Sequence, residues 1–137
     1  MSNLERWHEV VAKGDLKLLE SLLAKDVTFH SPILFKPKEG KKLTTIFLSA
    51  AFKVLMPGGF KYIKTLDSPE YTMLEFECEL DGIKIDGVDI ITWNEQGEIV
   101  EFKVMIRPFT AIEKVGELMR KELESMSLID KARLKFA

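Results

Sequence analysis

Asp89 is a carboxylate set among apolar residues in the stretch Ile85, Asp86, Gly87, Val88, Asp89, Ile90, Ile91, Thr92, Trp93. An ionised carboxylate in an apolar setting must find hydrogen-bond donors or keep its proton with a raised pKa. In the first case Asp89 is a structural acid bonded to a neighbour such as the Trp7 N–H or Ser31. In the second it can face a ligand and exchange a proton with it. His30 is a second candidate base, although strand alternation sets it opposite Phe29 and Ser31 and so turns it outward. His8 stands beside Trp7 and reads as a surface residue. The two histidines have no HExxH spacing, and no metal is expected.

The other reactive types read more simply. Cys78 falls on an apolar face with Leu74 and Phe76, where a thiol packs as a small hydrophobe with a raised pKa. Glu75, Glu77 and Glu79 alternate along one face. They resemble a carboxylate cluster for a cation, but cross-strand pairing with Lys61, Lys84, Lys103 or Arg107 is the simpler account. There is no GxGxxG, no phosphate loop ending in Gly-Lys-Ser/Thr and no GxSxG elbow, so no cofactor is implied.

The elements that must position these groups follow from the period of the apolar residues. Leu4, Trp7, Val10 and Val11 recur at helical spacing; Gly14 ends that helix and Asp15 caps the next, which carries Leu16, Leu18, Leu19, Leu22 and Leu23. Asp26 to Ser31 reads as a strand stopped by Pro32, and Ile33 to Gly40 as irregular chain. A third helix holds Leu43, Ile46, Phe47, Ala50, Val54 and Leu55 before Pro57, Gly58 and Gly59 stop it.

Beyond that point the period becomes two. Strands are expected over Phe60 to Leu66, Tyr71 to Leu80, the segment containing Asp89, and Glu98 to Arg107, the last placing Ile99 on the outer face and Val100 on the inner. Asp81-Gly82 and Asn94 to Gly97 join the last three as antiparallel neighbours. After Pro108 an amphipathic helix carries Ile112, Val115, Leu118, Met119, Leu123 and Met126. Helices first and a meander of strands last predict an α+β domain with a curved sheet packed on helices.

Composition sets the outer bounds. The chain has 137 residues, 46% hydrophobic and 31% charged, which suits one domain. Residues 1–126 read as that domain, and 127–137 as a C-terminal tail or helix extension. The net charge is −2 with both signs interspersed, so nucleic-acid and membrane partners are not expected. No apolar run approaches the roughly 20 residues of a bilayer span, and Met1 to Trp7 carries no export signal. With a single cysteine as well, a cytoplasmic location is expected.

Several short motifs together carry a resemblance: Trp7 followed by Gly14-Asp15, Phe29 through Pro32, Asp81-Gly82, Gly87 through Asp89, and Gly97 with Ile99. They resemble the nuclear transport factor 2-like superfamily, and within it the SnoaL-like domains, over about Leu4 to Pro108. The resemblance implies a cone-shaped, strongly curved antiparallel or mixed sheet wrapped around N-terminal helices and enclosing an apolar pocket. It also implies a homodimer through the sheet's outer face, to which Met73, Met105 and Ile99 would lend apolar area.

Against the ketosteroid isomerase branch, Asp89 matches the acid that donates to the developing oxyanion. Ser31 stands where that branch has its general base, and Trp7 where it has a phenol. Against the limonene epoxide hydrolase branch, Gly87 stands where an Arg is required, and Phe102 and Val104 fill the inward sites of the next strand. SnoaL-type polyketide cyclases need one acid in an apolar pocket, which Asp89 satisfies. The pocket is expected to be lined by Trp7, Phe29, Ser31 and Phe47 from the N-terminal half. Leu74, Phe76, Cys78, Asp89, Phe102, Val104 and Ile106 would complete it from the sheet. Such a cavity suits a small, mostly apolar molecule bearing a carbonyl or hydroxyl, either processed with help from Asp89 or merely carried. A protein-interaction module is the remaining alternative.

Overall fold

The computed structural model describes residues 1–125; the expected tail over 127–137, and Met126, lie outside the described residues. The chain opens with α1 (Asn3–Lys13), α2 (Leu16–Leu22), β1 (Leu23–His30), β2 (Lys38–Glu39) and α3 (Lys41–Leu55). A 3-10 turn (Met56–Gly58) leads into β3 (Lys61–Asp67), β4 (Tyr71–Leu80), β5 (Ile83–Trp93), β6 (Ile99–Arg107) and α4 (Phe109–Glu124). The six-stranded sheet runs β2-β1-β6-β5-β4-β3; β1 lies parallel to β6 and every other pair is antiparallel.

Local chemistry explains the boundaries. Ser2 and Glu5 form a reciprocal capping box that starts α1, and Gly14, at φ 61°, ends it in the left-handed conformation that glycine adopts without a Cβ penalty. The Asp15 carboxylate accepts from the Lys17 and Leu18 amides and caps α2. Asp81 and Gly82 both have positive φ, as a two-residue hairpin between twisted strands requires.

Burial alternates along β4 as its sequence dictates, with Thr72, Leu74, Phe76, Cys78 and Leu80 inward. Outward, Glu75 pairs with Lys64 and Glu77 with Lys61. Among the described residues no group of three His, Cys, Asp or Glu side chains is placed to hold a metal ion. No helix among them is long and apolar enough to cross a membrane.

Three local expectations are corrected. Leu23 opens β1 rather than closing α2, so the strand starts earlier than Asp26. Within the supposedly irregular segment, Lys38 and Glu39 pair with Phe29 and Thr28 as a short edge strand. Ile99, expected outward, is fully buried: a bulge opposite Thr92 and Trp93 pairs Trp93 with Ile99 and leaves Val100 unpaired, which reverses the alternation at the start of β6.

The core lies between the concave sheet face and the helices. Trp7 packs against Phe102 of β6 and Phe52 of α3 at centroid distances of 5.1 and 6.1 Å. α3 and α4 also contact each other, and α4 rests on β5 and β6.

Candidate functional site

Asp89 sits on the inner face of β5, 7% exposed, with Leu74 of β4 and Val104 of β6 as cross-strand neighbours. Burial among these apolar groups lifts its pKa to about 7, and a hydrogen bond from Tyr62 opposes part of that rise. The Tyr62 hydroxyl donates to Asp89 Oδ2 at 2.6 Å and in turn accepts the Trp7 indole N–H at 3.1 Å. Desolvation and the adjacent carboxylate hold the Tyr62 phenol well above its ordinary pKa, so it stays a neutral donor. Oδ2 is the oxygen taken up by Tyr62, which leaves Oδ1 for the hydrogen of a protonated Asp89.

This relay replaces the expected bond between Asp89 and Trp7 or Ser31. Ser31 is occupied otherwise: its hydroxyl oxygen accepts the Ile33 and Leu34 amides at 3.0 and 3.3 Å, shaping the loop after β1. Tyr62 was absent from the expected site. Its signal was available in β3, where period-two alternation puts Phe60 and Tyr62 on one face, and a buried tyrosine hydroxyl needs a partner.

The relay is aimed by aromatic packing that rests on a glycine. Phe76 lies across from Gly87, and any Cβ at 87 would overlap the Phe76 ring. Phe76 stacks on Phe60 at 4.8 Å, and Phe60 meets Tyr62 edge-on at 5.1 Å, which orients the phenol. The residue that excludes the epoxide-hydrolase arginine is thus the one that lets the aromatic row form.

A cavity of about 460 Å³ opens beside Asp89. Of the expected lining residues, Trp7, Phe29, Ser31, Phe47, Asp89, Phe102, Val104 and Ile106 do line it. Leu74, Phe76 and Cys78 do not; they are buried in the core, and Phe60, which does line the cavity, stacks on Phe76. Burial pushes the Cys78 thiol up to about 11, so it is a packed hydrophobe. His30 does not reach the cavity: Nε2 lies 3.3 Å from Glu101 Oε2, a neighbour outside the cavity lining, as outward alternation requires. His8 is exposed, its ring 5.9 Å from that of Tyr62.

The walls that sequence reasoning missed come from helices. α3 adds Leu48, Ala51 and Phe52, and α4 adds Val115, Gly116 and Met119, with Arg120 at the exposed rim. Helical periodicity marks these side chains as inward-facing without saying which element they face.

Comparison with known proteins places this architecture. Residues 4–102 match the family model for the SnoaL-like domain. A steroid delta-isomerase from Pseudomonas aeruginosa is similar in structure and sequence, with a TM-score of 0.84, 33% identity and coverage of 90% of both chains. An uncharacterised protein with a cystatin-like fold from Silicibacter pomeroyi matches with a TM-score of 0.83 and 32% identity over 90% of this chain and 86% of that one. An NTF2-like protein of unknown function from Mesorhizobium loti shares the fold at 19% identity and a TM-score of 0.67, over 77% of this chain and 88% of that one. No curated protein matches the chain. Taken with the curved mixed sheet and its helices, these matches show that the chain belongs to the SnoaL-like domain family and has the nuclear transport factor 2-like fold.

Proposed function

We propose that this protein binds a small, mostly apolar molecule through one carbonyl or hydroxyl oxygen, and that Asp89 assists a proton transfer on it of the isomerase or cyclase type. The observation that carries this reading is the Trp7–Tyr62–Asp89 relay ending at an apolar cavity. A carboxyl group with a pKa of about 7 exchanges its proton near neutrality, where a general acid or base works best. A cavity of about 460 Å³ suits a compact lipophilic molecule.

Protonated Asp89 donates from Oδ1 to a ligand carbonyl and draws electron density toward the oxygen; the adjacent C–H, so acidified, gives its proton to solvent water. The similarity to a protein named as a steroid delta-isomerase makes ketosteroids the first probes to try. A carrier without turnover is the second reading, favoured by Ser31: a hydroxyl of ordinary pKa cannot abstract a carbon-bound proton. The proposal also includes a cytoplasmic homodimer paired through the outer sheet face, where Met73 and Met105 are 38% and 51% exposed. Sedimentation velocity with Met105→Lys tests that part.

The deciding experiment is a thermal-shift screen of lipophilic carbonyl compounds, repeated with Asp89→Asn, followed by turnover assays on the compounds that bind. Turnover by the wild type that Asp89→Asn loses while still binding supports the enzyme. Asp89-dependent binding with no turnover supports the carrier. Absence of any stabilising compound overturns both.

A further inference from the structure

We propose that the loop between β1 and β2 docks this protein onto an anionic membrane surface, with the mouth of the cavity turned toward the lipid. The tip of the loop is Ile33-Leu34-Phe35, and these side chains are 36%, 46% and 99% exposed. Immediately after it, residues 36–42 hold Lys36, Lys38, Lys41 and Lys42 against one acid, Glu39. None of the four lysines forms an ion pair with a described residue. A chain of net charge −2 thus gathers four lysines directly after Phe35, the most exposed aromatic ring among the described residues.

The loop is held rather than trailing. Ser31 Oγ accepts two amides at its start, and Lys38 and Glu39 pair with β1 at its end. Gly40 N–H then donates to the Val27 carbonyl at 2.8 Å. Ile33 settles over Gly116 of α4, where even a Cβ would come within 3.5 Å of it. This fixed loop leaves Phe35 99% exposed among the described residues.

Its place in the molecule gives the surface a use. Ile33 and Leu34 line the cavity and are exposed at the same time, so the cavity opens beside the loop. Lys38 Nζ lies 5.7 Å from the ring centroid of Phe47, a wall of that cavity. An apolar tip followed at once by four lysines is complementary to a bilayer surface: the ring enters the headgroup boundary while the ammonium groups meet anionic lipid. A protein partner would have to match one fully exposed ring and the cations that follow it; a bilayer requires no such register. Seated this way, the protein can exchange a lipophilic molecule with the membrane without passing it through water.

The test is co-sedimentation of the full chain with phosphatidylcholine vesicles, with and without phosphatidylserine. The wild type is expected to partition about tenfold more strongly onto the anionic vesicles and to be released by salt. Phe35→Ser should weaken this by about tenfold while leaving the thermal midpoint unchanged, because the ring is 99% exposed among the described residues. Lys36→Gln with Lys42→Gln should weaken it by about fivefold for each charge removed. Equal partitioning onto both vesicle types overturns the proposal, as does an unchanged partition of Phe35→Ser. Self-association that depends on Phe35, without vesicle binding, assigns the patch to a second copy of the chain and also overturns it.

Discussion

Tyr62 on β3 reaches past β4 to place its hydroxyl 2.6 Å from Asp89 Oδ2 on β5. A phenol from near the sheet edge therefore supports an acid nearer its centre. The contact lowers the pKa of Asp89 by favouring its charged form, while burial of the carboxyl group raises it. Desolvation wins, leaving the acid poised near neutrality.

Stability should fall as pH rises from about 4 to about 7. Asp89 titrates at 3.8 in an exposed setting and at about 7 in the fold, so between those values the folded state holds a proton that the unfolded chain has released. That stabilisation is complete below the lower value and lost above the upper one, on the order of 4 kcal/mol in all. Urea denaturation from pH 4 to pH 8 checks this, and Asp89→Asn should flatten that part of the profile.

Tyr62→Phe should cost about 1–3 kcal/mol, because it strips Asp89 of its donor and leaves the Trp7 N–H without its acceptor. With the opposing hydrogen bond gone, the Asp89 midpoint should move above about 7. Carbon-detected NMR titration of the carboxyl group reads the shift directly. A midpoint that moved downward would mean that the phenol does not support the charged form.

Gly87→Ala should destabilise the fold by about 1–3 kcal/mol through overpacking, since the new Cβ would meet the Phe76 ring. The strain should pass through Phe60 to Tyr62, so the Asp89 midpoint should shift in this variant too. Chemical denaturation paired with the same titration separates the two effects.

Ser31→Asp should keep the loop, because an aspartate can accept the Ile33 and Leu34 amides that the serine now accepts. It adds a carboxylate to the cavity wall at the position where the ketosteroid isomerase resemblance puts a base. Conversion of a β,γ-unsaturated ketosteroid to its conjugated enone, followed by ultraviolet absorbance, should rise about 10²-fold over the wild type. No gain would show that the cavity does not hold the substrate C–H against residue 31.

Local chemistry made much of this protein legible in its sequence. The cap at Asp15, the stops at Gly14 and Pro57, the Asp81-Gly82 turn and the alternation of β4 act over a few residues, and each can be read where it stands. Asp89 itself was visible for the same reason, as an acid in an apolar run.

What only the tertiary structure decided are relations between distant segments. The Tyr62–Asp89 bond spans 27 positions and depends on sheet order and on the Phe76–Phe60 stack. The bulge opposite Trp93 turned Ile99 inward, and register of this kind is set across strands rather than along one. Leu74, Phe76 and Cys78 carry the alternation of wall residues, yet Phe60 covers Phe76 and the three are buried in the core without lining the cavity. Apolar period says that a side chain is buried; only three-dimensional packing determines whether it meets another side chain or an open cavity.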